Sequence, residues 1–93
     1  MENFIRLPME VLNDKSISSS DKLLLGVIIS FSNNKYQVAF ASNAKYARTL
    51  GLSSRTITRS IKKLKDKNYI IVKFDSYGTG RKISVNYNHE RLK

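Results

Sequence analysis

The chain has 93 residues and a formal net charge of +10 at pH 7, with 17 lysines and arginines against 7 acids. It contains no cysteine, which excludes disulfides and cysteine-ligated zinc as sources of stability. Its longest apolar run, Leu23 to Phe31, is broken by Gly26 and Ser30 and falls far short of the roughly 20 residues that a membrane span needs.

The positive charge is concentrated. Residues 1–44 hold Arg6, Lys15, Lys22 and Lys35 against Glu2, Glu10, Asp14 and Asp21, and are neutral. Residues 45–82 hold eleven basic side chains against Asp66 and Asp75, a net of +9. Such asymmetry is the electrostatic footprint of a polyanion partner. A membrane surface would attract the same charge, but the basic half reads as turns, strands and short helices, not as one long amphipathic helix.

In chain order, MENFIRLPME lacks the layout of a signal peptide, so a cytoplasmic protein is expected. Phe4 to Pro8 forms an extended lead-in, because Pro8 keeps Leu7 from helical angles, and Pro8 can start a short helix reaching Leu12. Ser18 followed by Asp21 fits a helix start with an acid in the first turn. That helix is predicted to run to about Ser32, burying Leu24, Val27 or Ile28, and Phe31. Asn33, Asn34 and Lys35 end it. Tyr36 to Phe40 alternates apolar with polar or small residues and predicts a short strand.

Ser42 then caps a helix that buries Ala44, Tyr46 or Ala47, and Leu50, and Gly51 stops it in the left-handed conformation. Ser53 caps a second helix, with Thr56 three residues on, and Asn68 ends it in place of glycine. Two strands follow, YIIVKF and RKISVNY, the latter alternating at Ile83, Val85 and Tyr87, with the turn formers DSYGTG between them. The order of elements predicts an α+β winged helix-turn-helix: three main helices, a small antiparallel sheet and one wing hairpin. It reads as a single domain over residues 1–93, with the helix-turn-helix at 42–67 and the wing at 69–87.

The second helix of the pair carries the functional signal. At ~100° per residue, Ile57, Ile61 and Leu64 fall within about 60° of one another. Arg55, Arg59, Lys62 and Lys63 stand on the opposite side of the wheel, the layout of a DNA recognition helix. Arg55 and Arg59 are placed to bond guanine bidentately in the major groove, or else to touch phosphate only. Ser54, Thr56 and Thr58 can reach phosphates or thymine methyls, though Thr56 and Ser53 have a capping role as well. Lys62 and Lys63 suit phosphate contacts, while Lys65 and Lys67 read as solvated. On the preceding helix, Ser42, Asn43 and Lys45 can hold a phosphate at the amino-terminal amides; Arg48 can equally be a plain surface residue. On the wing, Tyr77, Thr79, Arg81 and Lys82 are candidates, an arginine at the hairpin tip being suited to a narrow minor groove.

The chain also resembles the winged-helix domains at the amino terminus of replication initiators from plasmids and phages of Gram-positive bacteria. The likeness runs from about Phe4 to Phe74. It rests on FIRLP, on SSSDKLLLGVIISFSN, on Phe40-Ala41-Ser42, and on LGLSSRTITRSIKKLKDKNYI. Ala41 stands where that group often has proline and Asn68 where it commonly has glycine. Initiators carry a second domain after the winged helix, whereas this sequence ends at Lys93, as either a fragment or a free-standing DNA-binding accessory would; the function that the resemblance implies in both cases is DNA binding.

Nothing in the sequence assembles an enzyme. The single histidine, His89, falls in a polar tail, and no paired carboxylates, no nucleophile beside a base and no phosphate loop are present. No metal, cofactor or small-molecule ligand is expected. The predicted function is sequence-specific binding of double-stranded DNA at an origin of replication or conjugative transfer of a mobile element. Its partners would be repeated sites with A·T-rich flanks, together with replication or transfer proteins. A small transcriptional regulator and a protein-interaction module are the alternatives. Single-stranded nucleic acid is disfavoured because Phe4, Phe31, Phe40 and Phe74 sit at core-like positions. With neither a heptad helix nor a cysteine, the chain is expected to be a monomer.

Overall fold

The two helices of the predicted pair begin and end by the same chemistry in the computed structural model, which describes residues 7–74 and 80–92. Helix α1 spans Met9–Leu12, α2 Ser19–Phe31, α3 Asn43–Leu50 and α4 Ser54–Asp66; strands β1 Ile70–Phe74 and β2 Arg81–Val85 follow, then a 3-10 turn at Glu90–Leu92. The Ser42 and Ser53 side chains accept from the Lys45 and Thr56 amides, satisfying amino-terminal donors that have no partner within the helix. At the other ends, Gly51 (φ 67°) and Asn68 (φ 66°) are left-handed. The next amides, of Leu52 and Tyr69, reach back to the Ala47 and Leu64 carbonyls at 3.0 and 2.9 Å, which closes both helices in the Schellman manner. Helix α2 opens on a complete capping box between Ser18 and Asp21, with bonds of 3.1 and 2.9 Å.

Helix α2 is central, packing on α3, α4 and β2. It therefore buries more than one stripe: Leu24, Leu25, Val27 and Ile28 are all inside, while Phe31 is half-buried and stacks on Tyr46 at 5.7 Å. From α4 the core receives Ile57, Ile61 and Leu64, the three residues of the predicted stripe, and Ser60 beside them. From α3 it receives Tyr46, with Ala47 and Leu50 half-buried and Ala44 exposed. Strands β1 and β2 pair antiparallel from Ile70 opposite Val85 to Phe74 opposite Arg81. The result is a winged helix-turn-helix, with the turn of the wing, residues 75–79, outside the described residues.

Two expectations need correction. The strand over 36–40 is reduced to one bridge, Ala39 to Ile83, with bonds of 2.8 and 3.0 Å. Gln37 is left-handed (φ 56°), and the Asn34 side chain holds the Phe31 and Val38 carbonyls and the Tyr36 amide in a local turn. A side chain that satisfies nearby backbone groups competes with a strand ladder. The parity is also reversed: Ala39 points inward, and Tyr36 and Phe40 are exposed. Further on, Tyr87 is exposed and off the strand, because the Asn86 amide turns to the Tyr69 carbonyl and its side chain to the Asn68 carbonyl.

The carboxyl-terminal segment is packed, not a polar tail. His89 stacks on Tyr69 with 4.1 Å between ring centroids, and its Nδ1 accepts from the Arg91 amide. Arg91 donates to the Glu10 carbonyl and approaches Asp14 at 3.8 Å. Buried Asp14 accepts from Ser16 and from the Tyr69 hydroxyl. The Ser16 and Tyr69 hydrogen bonds hold its carboxyl well below the usual carboxylate range, against the opposing effect of burial. Burial, and then the bond to Asp14, pushes the Tyr69 phenol well above its ordinary value.

Candidate nucleic-acid interface

The apolar seam of α4 fixes which side chains face outward. With Ile57, Ile61 and Leu64 locked inside, Ser54, Arg55, Thr58, Arg59, Lys62 and Lys63 are exposed and Thr56 is half-buried. Thr56 has the capping role, since its amide and hydroxyl both meet the Ser53 hydroxyl. Lys62 pairs with Asp66 at 3.0 Å, one turn on. Both side chains are largely exposed, so the pair is weak and leaves the ammonium available to a phosphate. The i,i+4 spacing of Lys62 and Asp66 is a sequence signal for that pair.

Neither α3 nor α4 has an acid in its first turn, so the positive ends of both helices add to the cationic side chains around them. Lys45 and Arg48 are exposed on α3. An open groove of about 590 Å³ runs between the start of α2 and α4, lined by Ser18, Ser20, Asp21, Thr56, Arg59, Ser60, Lys62, Lys63 and Asp66. The start of α2 was not among the sequence candidates, because its proximity to Arg59 and Lys63 is a tertiary contact.

Asn43 and Arg81 differ most from their expected roles. Arg81 was expected at the tip of the hairpin, reaching into a minor groove. It is instead the first residue of β2, half-buried, with Nη1 donating to Asn43 Oδ1 at 2.6 Å and Nη2 to the Ala41 carbonyl at 2.9 Å. Its guanidinium carbon lies 6.0 Å from the centroid of the Tyr46 ring. The cause is strand parity: Arg81 shares a face with Ile83 and Val85, which are buried. Asn43 is half-buried and its Nδ2 donates to Thr58 Oγ1 at 3.3 Å. Burial pushes the Tyr46 phenol above its ordinary value, with Arg81 opposing.

Lys82, on the other face of β2, is exposed and lies opposite Lys73. Like charges facing each other across a ladder are unfavourable, and Lys73 joins the basic surface although only the register reveals it. Tyr77 and Thr79 lie outside the described residues. The aromatic positions also need correction: Phe40 is 54% and Phe74 69% exposed, so neither is a core residue. Phe74 is on the outermost pair of the ladder, opposite Arg81, and Phe40 follows the inward Ala39 and meets the exposed Tyr36 ring edge to face at 6.3 Å. Among the described residues there is no cluster of metal-ligating side chains, and no helix is long and apolar enough to cross a membrane.

A family model described as a helix-turn-helix domain matches residues 15–70, more than half of the chain. Among solved structures, a point mutant of ZitR from Lactococcus lactis is similar, with a TM-score of 0.56 and 18% sequence identity over 86% of this chain and 49% of that one. The chain thus spans about half the length of that protein, and the likeness is one of fold. No curated protein matches the sequence.

Proposed function

The chain belongs to the helix-turn-helix domain family, whose second helix binds double-stranded DNA in the major groove, and we propose that it is a sequence-specific DNA-binding accessory of a mobile element. It acts at an origin of replication or of conjugative transfer, where it marks a site for other proteins and performs no chemistry of its own. Residues 1–93 form one winged-helix unit, placed in the cytoplasm. The observation that carries this reading is the outer face of α4, where Arg55, Arg59, Lys62 and Lys63 stand exposed over a buried seam.

In this reading Arg55 and Arg59 read bases, and Ser54 and Thr58 line the same groove. Lys62, Lys63, Lys45 and the first amides of α3 at Ser42 and Asn43 hold phosphates. Lys82, with Lys73 opposite, meets the flank, where the narrow minor groove of A·T-rich DNA concentrates negative potential. The mobile-element assignment rests on the resemblance to plasmid and phage initiators. A transcriptional regulator would present the same interface, and the genomic position of the selected site separates the two.

Selection of duplexes from a random pool by the purified chain tests the proposal. A recurrent motif with an A·T-rich neighbour is expected. On that motif, Arg59→Ala should cost ~1–3 kcal/mol and relax preference at one position, while Lys63→Ala should weaken all sequences alike. Recovery of random sequence would refute specific reading. Enrichment of single strands over duplex would assign the exposed Tyr36, Phe40 and Phe74 as stacking platforms instead.

A further inference from the structure

We propose that Arg81 and Asn43 form a strut that fixes the angle between the wing and the recognition helix. Both are then positioning residues for DNA reading, a role that rests on the duplex-binding function proposed above. The strut is a continuous chain of hydrogen bonds. Arg81 Nη2 donates to the Ala41 carbonyl at 2.9 Å and Nη1 to Asn43 Oδ1 at 2.6 Å. Asn43 Nδ2 donates to Thr58 Oγ1 at 3.3 Å, and Thr58 Oγ1 donates to the Ser54 carbonyl at 3.0 Å. Three elements are tied in this way: β2, the first residue of α3, and the outward side of α4.

Each link constrains the next. The guanidinium has donors only, so the atom of Asn43 that faces it must be the oxygen. Arg81 therefore settles the orientation of the Asn43 amide; the reverse orientation would set donor against donor. With the oxygen committed, the amide nitrogen is directed at Thr58. The hydroxyl of Thr58 is thereby held from two sides, and the side chain is not free to turn on the face of α4.

The position of the strut along the hairpin gives it leverage. From the inner end of the ladder to its middle pair, Ile70, Val85 and Ile83 are buried and pack the sheet on the core. At the outer end, Phe74, the ladder partner of Arg81, is 69% exposed. Arg81 is the last inward side chain of β2 before residues 75–79, so it is the outermost tether of the described hairpin to the helix pair. Its site is electrostatically unfavourable, at the positive end of α3 with no acid in the first turn. A cation is kept there by its fork of directed bonds and by the face of the Tyr46 ring, with no acid beside it in the first turn of α3. Duplex contacts made by α4 and by the wing then keep one fixed separation.

Lysine separates geometry from charge, since an ammonium keeps the +1 but lacks the planar fork that reaches two acceptors. Wild type, Arg81→Lys, Asn43→Ala and the double variant are titrated on two duplexes carrying the selected motif. One ends at the part read by α4; the other extends one helical turn, about 10 bp, over the flank. On the short duplex Arg81→Lys should bind within about twofold of wild type. On the long duplex each single variant should lose affinity on the order of tenfold, and the double variant no more than the worse single, as expected for groups acting as one unit. The salt dependence of Arg81→Lys should match wild type, because no charge is lost. Where Arg81→Lys fails to show wild-type circular dichroism, Arg81→Gln, a shorter and uncharged side chain, takes its place with the same split between duplexes expected and without the salt comparison. Where Asn43→Ala fails, Asn43→Ser, too short to join Arg81 to Thr58, takes its place.

Arg81→Lys binding like wild type on both duplexes would overturn the strut. So would equal losses on the short and long duplexes, or a double variant whose loss is the product of the singles. Failure of wild type itself to bind either duplex would instead overturn the DNA-binding function, and the strut's role in DNA reading with it.

Discussion

Asp14→Ala is expected to lower the unfolding free energy by about 2–3 kcal/mol. Asp14 is 7% exposed, and its carboxylate accepts from the Tyr69 hydroxyl at 2.5 Å, the Ser16 hydroxyl at 2.6 Å and the Ser16 amide at 2.9 Å. The Ser16 bonds are the stronger influence on the titration of Asp14. They are nevertheless local and partly exposed, so water replaces them when the carboxylate is removed. The Tyr69 bond is different, since Tyr69 is fully buried. A hydrogen bond to a buried charge contributes ~1.5–3 kcal/mol, and its loss leaves a buried hydroxyl without a partner. Arg91, at 3.8 Å and with a side chain 39% exposed, adds under about 1 kcal/mol. Urea unfolding at neutral pH, followed by circular dichroism, measures the sum. Tyr69→Phe added to Asp14→Ala should cost little more, because it removes the orphaned hydroxyl. The pH dependence has a definite sign. The folded-state pKa of Asp14 lies below its ordinary 3.8, so its stabilisation is present above that value and is lost as pH falls below it. Asp14→Asn should therefore flatten the decline of stability below about pH 4. A loss under about 0.5 kcal/mol in Asp14→Ala, the level of an ordinary surface change, would refute the reasoning, as would an unchanged acid limb in Asp14→Asn.

Two further substitutions probe the helix pair. Gly51→Ala should cost about 1–2 kcal/mol in thermal or urea unfolding: a Cβ there would meet nothing within 4 Å, so left-handed backbone strain is the only penalty. A stabilised Gly51→Ala would mean that the helix closure is not left-handed in solution. Tyr46→Phe should leave stability unchanged or raise it by up to about 1 kcal/mol, because the buried Tyr46 hydroxyl has no partner among the described residues. A loss above about 1 kcal/mol in the same assay would show that the hydroxyl is bonded.

What the sequence made legible was local. Ser18 with Asp21, Ser42, Ser53, Gly51 and Asn68 mark helix ends because each acts within three to five residues of itself, through a cap or a left-handed turn. The division of α4 into a buried seam and a cationic face follows from helical period alone. The features that escaped depend on distant or competing partners. Tyr36 to Phe40 alternates like a strand, but Asn34 and Gln37 fold its backbone into a turn. Phe40 and Phe74 look like core residues, but Ala39 takes the inward place beside Phe40 and Phe74 is on the outermost pair of a short ladder. Tyr69 meets Asp14 and His89, and Arg91 meets Glu10 and Asp14, only because segments far apart in the chain pack together. Lys73 faces Lys82 only once the register is known. The inward turn of Arg81 was the exception: the sequence alternates at Ile83 and Val85, and strand parity puts Arg81 on the same face.

The central claim is that the cationic face of α4, with Lys45 and the wing, binds duplex DNA by its phosphates as well as its bases. Equilibrium binding of the selected duplex, and of its separated strands, over a series of salt concentrations tests it most directly. With roughly six phosphates neutralised, log K should fall against log salt with a slope of about −5 for the duplex, and the single strands should bind far more weakly. Equal affinity for duplex and single strands, with a slope near zero, would contradict it.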